Sequence, residues 1–289
     1  MKYGKIISTL VLCIVLLSIF ATTMGIFSSG GPGPSEFRSI HGDIIPLYGR
    51  GIYKHMSAPA APQGIAQDFV TLIVGIPLLF ISLFLFRNGS MKGKILLTGT
   101  LGYFLVTYLF YLVMGMYNEL FLIYVLLTLT SFYAFVICLI SFNLEKLKSI
   151  FSDALPVKFL GGFLICNSFA IGFLWLSRVI PPLLNGTYPV ELEHYTTLIV
   201  QGLDLAILLP ASILSGVLII IRNKYGYLFA PIYIVFLSIL MTALTGKIIG
   251  QMLIGVDVGL VIYIIPTINI VSWVCTILVI KSVNIMLSV

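Results

Sequence analysis

Eight separate runs of mostly apolar residues, each about twenty or more long, leave this chain few folds to choose from. They lie at about 5–27, 66–86, 95–115, 120–142, 159–179, 198–221, 228–253 and 260–282. A helix needs ~20 such residues to cross the hydrocarbon of a bilayer. Membrane barrel strands are about 10 residues long and alternate in polarity, and these runs do neither. Of the 289 residues, 60% are hydrophobic and only 9% charged, against about 25% charged in an ordinary soluble domain. Too few charges remain to coat a water-soluble core of this size. The fold class is therefore all-α: a polytopic transmembrane bundle of about eight helices in one domain, residues 1–289, with the lipid bilayer as its partner.

The net charge is +6, but the basic residues sit in short clusters between apolar runs. That pattern marks cytoplasmic loops and excludes a nucleic-acid groove. With the N-terminus inside, Lys2, Lys5, Arg87, Lys92, Lys94, Lys146, Lys148, Lys158, Arg222, Lys224 and Lys281 fall on the cytoplasmic side, eleven of the sixteen basic residues. Of the acids, only Glu145 and Asp153 join them. The expectation is a cell-membrane protein with both termini cytoplasmic. The first run has a basic start, as a signal peptide does, but it is long and lacks a clean cleavage site, so it is expected to stay as a helix.

The only long outer connection, 28–65, opens on Ser28-Ser29-Gly30-Gly31-Pro32-Gly33-Pro34, which is turn chemistry. Its later part, Ile44-Ile45-Pro46-Leu47-Tyr48-Gly49-Arg50-Gly51-Ile52-Tyr53, is too apolar for a wet linker and is expected to fold back onto the outer helix ends. The halves 1–158 and 159–289 invite comparison. Gln67, Asp68, Pro77 and Arg87-Asn88 in one helix match Gln201, Asp204, Pro210 and Arg222-Asn223 in another. Each is followed by two apolar runs joined through a short acidic turn, with Glu119 or Asp257. Four helices per half would give a parallel 4+4 internal repeat about an axis along the membrane normal. The competing reading is that Arg-Asn recurs by chance at inner turns.

Ionisable residues in spans are costly and usually face the bundle interior with a partner. Asp204 is the foremost candidate, sharing a helical face with Gln201, Ser212 and Ser215 and expected to pair with Lys247 or Arg178. Asp68, with Thr71 on its face, and Asn118 and Glu119 complete the acidic and polar outer set. Tyr103, Thr107 and Tyr111 continue a stripe from Thr100, and Tyr124, Thr128 and Ser131 form a second. Such stripes line a polar path or make interhelical hydrogen bonds. Likewise Arg178 and Lys247 could snorkel, and Asp204 could serve a structural ion pair. Gly246-x-x-x-Gly250 is a helix-packing motif.

His41-x-Asp43 and Glu191-x-Glu193-His194 would suit a divalent metal only if their loops met, and their spacing matches no zinc motif, so no metal site is assigned. Cys13, Cys138, Cys166 and Cys275 lie inside apolar runs and read as packing residues. Asn185-Gly186-Thr187 is a glycosylation triplet on the outer side. No nucleotide fingerprint or haem-attachment motif is present, and Lys247 lies too near a helix end to suit a retinal Schiff base. No cofactor is implied.

Several segments resemble a family of uncharacterised prokaryotic multi-pass membrane proteins: Leu47-Tyr48-Gly49-Arg50-Gly51-Ile52-Tyr53, Gln67-Asp68-Phe69-Val70-Thr71-Leu72, Arg87-Asn88-Gly89-Ser90-Met91-Lys92-Gly93, Tyr117-Asn118-Glu119-Leu120-Phe121-Leu122, and Tyr195-Thr196-Thr197 before Asp204. The resemblance implies no activity. It marks Tyr48, Tyr53, Asp68, Asn118, Glu119 and Asp204. The functional expectation is transport or binding of a small molecule or ion at a polar site in the outer half of the bundle, with Pro77, Pro210, Pro231 and Pro266 breaking helices beside it. The alternatives are a membrane enzyme using His41, Asp43, His55 and His194 on a lipid-like substrate, and a non-catalytic subunit or sensor.

Overall fold

The computed structural model describes residues 3–284. Lys2, one of the basic residues used for orientation, lies outside the described residues. Among these, eight helices are long and apolar enough to cross a membrane: α1 Gly4–Phe27, α2 Ala61–Arg87, α3 Met91–Val113, α4 Phe121–Ile140, α5 Val157–Asn185, α6 Ile199–Ile220, α7 Lys224–Leu253 and α8 Val261–Lys281. A two-stranded antiparallel hairpin, β1 Ser35–Arg38 and β2 Ile44–Leu47, follows α1. It marks one end of the bundle, here called the hairpin end.

α3 and α7 each begin four residues before the apolar run that marks them, and the two larger departures both involve proline. α2 begins five residues early, because Pro62 in the first turn needs no intrahelical N–H partner. α5 runs on to Asn185 through Pro181 and Pro182, and stops at Gly186, whose φ of +64° suits the cap position.

α3 and α7 are the most buried helices and form the spine of the bundle. They touch through Gly99, where a Cβ would lie 2.5 Å from Val235 Cβ and 2.8 Å from the Ile232 carbonyl. Lipid tails are as apolar as leucine, so close backbone approach and dispersion replace the hydrophobic drive between helices. The same device joins α5 to α6, where Gly161 and Gly216 face each other's carbonyls, and α7 to α2, where Gly246 and Gly250 meet Ala66, Val70 and Pro62.

α2 and α6 share an uncommon backbone. Each contains a π-turn, Thr71–Gly75 and Asp204–Leu208, in which the Ile76 N–H bonds the Thr71 carbonyl and the Leu209 N–H bonds the Asp204 carbonyl. A proline follows at once, Pro77 or Pro210. The wider turn takes up the place where a proline ring would strike the carbonyl four residues back. The turns after α2 and α6 also match. Gly89 and Arg222 have positive φ, +78° and +56°. The Ser90 and Asn223 N–H groups bond the Leu85 and Leu218 carbonyls at 3.0 and 2.9 Å. Gly93 and Gly226 then press on the backbone at Leu85–Phe86 and Leu218–Ile219. Every one of these pairs is 133 positions apart in the chain (71 to 204, 77 to 210, 93 to 226). The Arg-Asn match drawn from the sequence is two residues out of this register. Pro231 and Pro266 lie inside α7 and α8, which continue through them unbroken.

The tight α3–α7 approach predicts that Gly99→Leu lowers the melting temperature in detergent by several degrees, since overpacking a close-fitted contact costs about 1–3 kcal/mol. Gly162→Leu is the control, because nothing lies within 4 Å of a Cβ placed there. Equal melting of Gly99→Leu and wild type would refute the role given to this contact.

Candidate functional site

The most buried carboxyl among the described residues is that of Asp68, 2% exposed, on α2. Three separate segments close over it. Tyr53, from the short 3-10 turn Gly51–Tyr53 after the hairpin, donates its phenolic O–H to Asp68 Oδ2 at 2.5 Å. Tyr111 of α3 lies 3.1 Å from Oδ1 and 3.0 Å from the Gly64 carbonyl. Gly25 of α1 leaves the space the carboxyl fills, since a Cβ there would stand 1.8 Å from Oδ2. Gly64 in turn gives room to the Tyr53 ring.

Beside Asp68 the network continues along α2 and α3. Gln67 Nε2 donates to Tyr103 Oη at 2.8 Å and to Thr107 at 3.3 Å, and Thr71 Oγ1 meets Tyr103 Oη at 2.7 Å. Gln67 and Thr71 are one turn apart and face α3. Tyr103, Thr107 and Tyr111 recur at four-residue spacing and face back. The expected stripe thus splits by role. Those three bond across helices, whereas Thr100 and Thr128 bond only carbonyls of their own helices. Tyr124 packs its ring 5.3 Å from that of Tyr111, and Ser131 is buried without a partner.

Asp204 sits differently. It is half-buried and accepts a hydrogen bond from Trp175 Nε1 of α5 at 2.8 Å. Neither expected cation pairs with it: Arg178 reaches Glu191 at 3.5 Å, on an exposed surface. The π-turn begins at Asp204 and shifts the helix phase beyond it. Ser212 and Ser215 are spent on the Leu164 and Ala211 carbonyls. Gln201 is buried one turn before. Lys247 of α7 is half-buried near Gly246, where α7 packs on α2. It is the cation that both Asp68 and Asp204 feel, yet it forms none of the ion pairs found among the described residues.

The segment after Tyr53 is clamped at successive residues. Lys54 pairs with Glu119 of the α3–α4 turn. The His55 carbonyl lies 3.0 Å from His194 Nε2. Ser57 Oγ donates to the Glu193 carboxylate, and the Ser57 N–H donates to Tyr195 Oη at 3.2 Å. Glu193 reaches Ser57 from a backbone with φ of +50°, a conformation a non-glycine residue adopts only under constraint. His41, at the hairpin tip, stacks on Tyr188 at 3.6 Å. The loop does fold back on the helix ends, as its composition implies.

No group of three or more His, Cys, Asp or Glu side chains is placed to hold a metal among the described residues. His41 and His194 pack against aromatic rings, and Asp43 is exposed. All four cysteines are free. Asn118 accepts the Leu120 N–H at 2.9 Å in the α3–α4 turn and its side chain also meets Tyr124, while Glu119 braces the loop from the exposed side. Gly25 and Trp175 were not singled out from sequence. A glycine in an apolar helix and a tryptophan near a helix end carry no sign of the acids they meet. Comparison with protein-family models, curated proteins and solved structures finds no match for this chain. Its own side chains therefore carry the functional reading.

Outside the spans, burial pushes the Tyr53 phenol well above its usual range, helped by the Asp68 carboxyl, so it stays a donor. The hydrogen bond from Lys54 holds Glu119 below the ordinary glutamate range. Burial raises Glu193, against the opposing hydrogen bond from Ser57. The folded state therefore favours protonated Glu193. Its contribution to docking is full below the ordinary glutamate range and falls as pH rises through the elevated value. Glu119 contributes in the opposite sense, fully above the ordinary range and less as pH falls through its lowered value. Amide protection across 52–57, taken relative to the intrinsic exchange rate at each pH, should accordingly be greatest between those two transitions. Glu193→Gln should abolish the loss of protection at the higher-pH side. An unchanged pH profile in that variant would refute the assignment. Tyr53→Phe should speed exchange in the same segment, because a buried acceptor that loses its donor costs about 1–3 kcal/mol.

Proposed function

We propose that this chain binds and moves a small polar solute or ion through the seam between its two four-helix halves, with Asp68, Lys247 and Asp204 as the charged groups of the path. The observation that carries this reading is the burial of Asp68 in the bundle with no cation within ion-pair distance. A charge in hydrocarbon costs roughly 2.5–3.5 kcal/mol even on lenient insertion scales. A purely structural role would have been served by an amide.

The 133-residue spacing supports a duplication with parallel halves, 1–158 and 159–289. Gly99 and Ile232 are equivalent positions at that spacing and touch each other, as residues on a pseudo-two-fold axis do. Parallel-repeat transporters place their site between such halves, and discontinuous helices commonly line it. The π-turns of α2 and α6 fit that role. The clustering of Lys5, Arg87, Lys92, Lys94, Lys146, Lys148, Lys158, Arg222, Lys224 and Lys281 away from the hairpin supports a hairpin end outside the cell and cytoplasmic termini.

Purified full-length protein is screened for ligand-dependent rises in melting temperature with a panel of small cations, zwitterions, polyols and weak acids. Compounds that raise it are tested for uptake into proteoliposomes. At least one should be accumulated. Lys247→Met and Asp204→Asn should slow its uptake by about ten-fold or more, the scale of one lost contact to a charged group, while keeping the unliganded melting temperature. A panel without shift or uptake, or wild-type uptake in both variants, would overturn the proposal.

A further inference from the structure

Two carboxylates, Asp68 and Asp204, and one ammonium, Lys247, make up the charge of the inner network. None of the three joins an ion pair among the described residues. Fully ionised, the set would leave one negative charge uncompensated in a medium that tolerates none well. A single bound cation would restore the balance, and the hydrogen-bond geometry indicates where. Asp204 is half-exposed and faces the indole N–H of Trp175, a group that can only donate, so it is set up as an acceptor. Asp68 is sealed. Its Oδ2 receives the Tyr53 proton. Its Oδ1 faces Tyr111 Oη, which also lies 3.0 Å from the Gly64 carbonyl. Tyr111 thus reaches two acceptors, Oδ1 and the Gly64 carbonyl, with one proton, so with Asp68 ionised only one of the two contacts is a hydrogen bond at a time. A proton on Oδ1 completes the chain from Asp68 through Tyr111 to the Gly64 carbonyl and uses every donor.

We infer that Asp68 is a proton-binding site, occupied on Oδ1 in this conformation, so that the ion coupled to the proposed transport is the proton. The inference rests on the transport reading for its purpose but not for its test. Six titratable groups face Asp68: Tyr53 from the loop, Tyr103, Tyr108 and Tyr111 from α3, Tyr124 from α4 and Lys247 from α7. α1 presents Gly25, which cannot titrate. Of the five phenols, those of Tyr53 and Tyr111 touch the carboxyl, and among the described residues Lys247 is the cation that acts on it once the proton leaves. Gly25 and Gly64 let the ring and the carboxyl meet without an intervening side chain.

The test is infrared spectroscopy of the full-length protein in lipid nanodiscs at neutral pH. Wild type should show the carbonyl stretch of a protonated carboxylic acid, sensitive to exchange into heavy water. Asp68→Asn should lose it, Asp204→Asn should keep it, and Tyr111→Phe should move it, because the acceptor of the Oδ1 proton is gone. No band in wild type, or an acid-carbonyl region unchanged by Asp68→Asn, overturns the inference; Glu193→Gln identifies any contribution from Glu193. An unmoved band in Tyr111→Phe overturns the assignment to Oδ1. In proteoliposomes, wild type should dissipate an imposed pH gradient faster than Asp68→Asn. The acid band without that flux would sink the transport reading while leaving the proton on Asp68 in place.

Discussion

Water is absent from the hydrocarbon, and each polar group buried there must find its partner within the protein. The network around Asp68 meets that demand with neutral hydroxyls and amides instead of a neighbouring base. One carboxyl thereby joins four parts of the molecule that are far apart in sequence: the loop through Tyr53, α1 through Gly25, α2 itself, and α3 through Tyr111. The seam between α7 and α8 meets the same demand more simply. Ser238 bonds Thr276 at 2.8 Å, and Thr242 takes the Trp273 N–H at 2.9 Å and lies 3.0 Å from Asn269 Oδ1. Interhelical bonds of this kind are worth about 0.6 kcal/mol each and involve no charge. That seam holds two helices together, whereas the Asp68 cluster carries a group whose protonation state can change.

At the 133-residue spacing, α2 and α6 share their π-turn backbone and differ in chemistry. If the halves are aligned by the proposed duplication, Asp204 stands where the first half has Thr71, and Gln201 stands where it has Asp68. Phe236, Leu240 and Leu244 replace Tyr103, Thr107 and Tyr111. The first half therefore seals its acid under phenols. The second leaves its acid half-open against one indole, with an apolar α7 face where the stripe would be. Under the proposed duplication, the π-turns and glycine contacts were retained because the fold needs them, while the polar lining diverged. Lys247 stands where the first half has Met114, so the cation also belongs to one half only.

Much of this architecture was legible in the sequence, because hydrocarbon imposes long apolar runs that few other folds require. The runs located all eight helices, and of the four prolines read as helix breakers, Pro77 and Pro210 adjoin the π-turns whereas Pro231 and Pro266 sit in unbroken helices. What composition could not give was phase. A π-turn adds a residue to one helical turn, so the face inferred for Asp204 by regular spacing fails beyond Leu208: Ser212 reaches α5, and Ser215 is spent on its own helix. Nor could the sequence rank Asp68 above Asp204. The difference lies in Tyr53, which reaches Asp68 only because the hairpin folds back, and in a glycine of α1. Both contacts are long-range, and nothing in local pattern encodes them.

The loop then acquires a mechanical meaning. Tyr53 and the clamped residues Lys54, His55 and Ser57 are adjacent, so the hydroxyl that caps Asp68 cannot withdraw unless the grip of Glu119, His194 and Glu193 also loosens. Lys54–Glu119 is largely exposed and worth at most about 1 kcal/mol. Glu193 holds Ser57 from a constrained backbone and from partial burial, which raises the cost of its charge. The two carboxylate contacts of the clamp are thus weak or strained, while the bond beneath them, from Tyr53 to Asp68, is short and dry. A cover tied loosely to the surface and firmly to a buried acid responds most strongly to the state of that acid. Loss of the Asp68 proton would leave Tyr53 bonded to a full charge and tighten the cover. Reprotonation would weaken that bond toward the strength of the clamp.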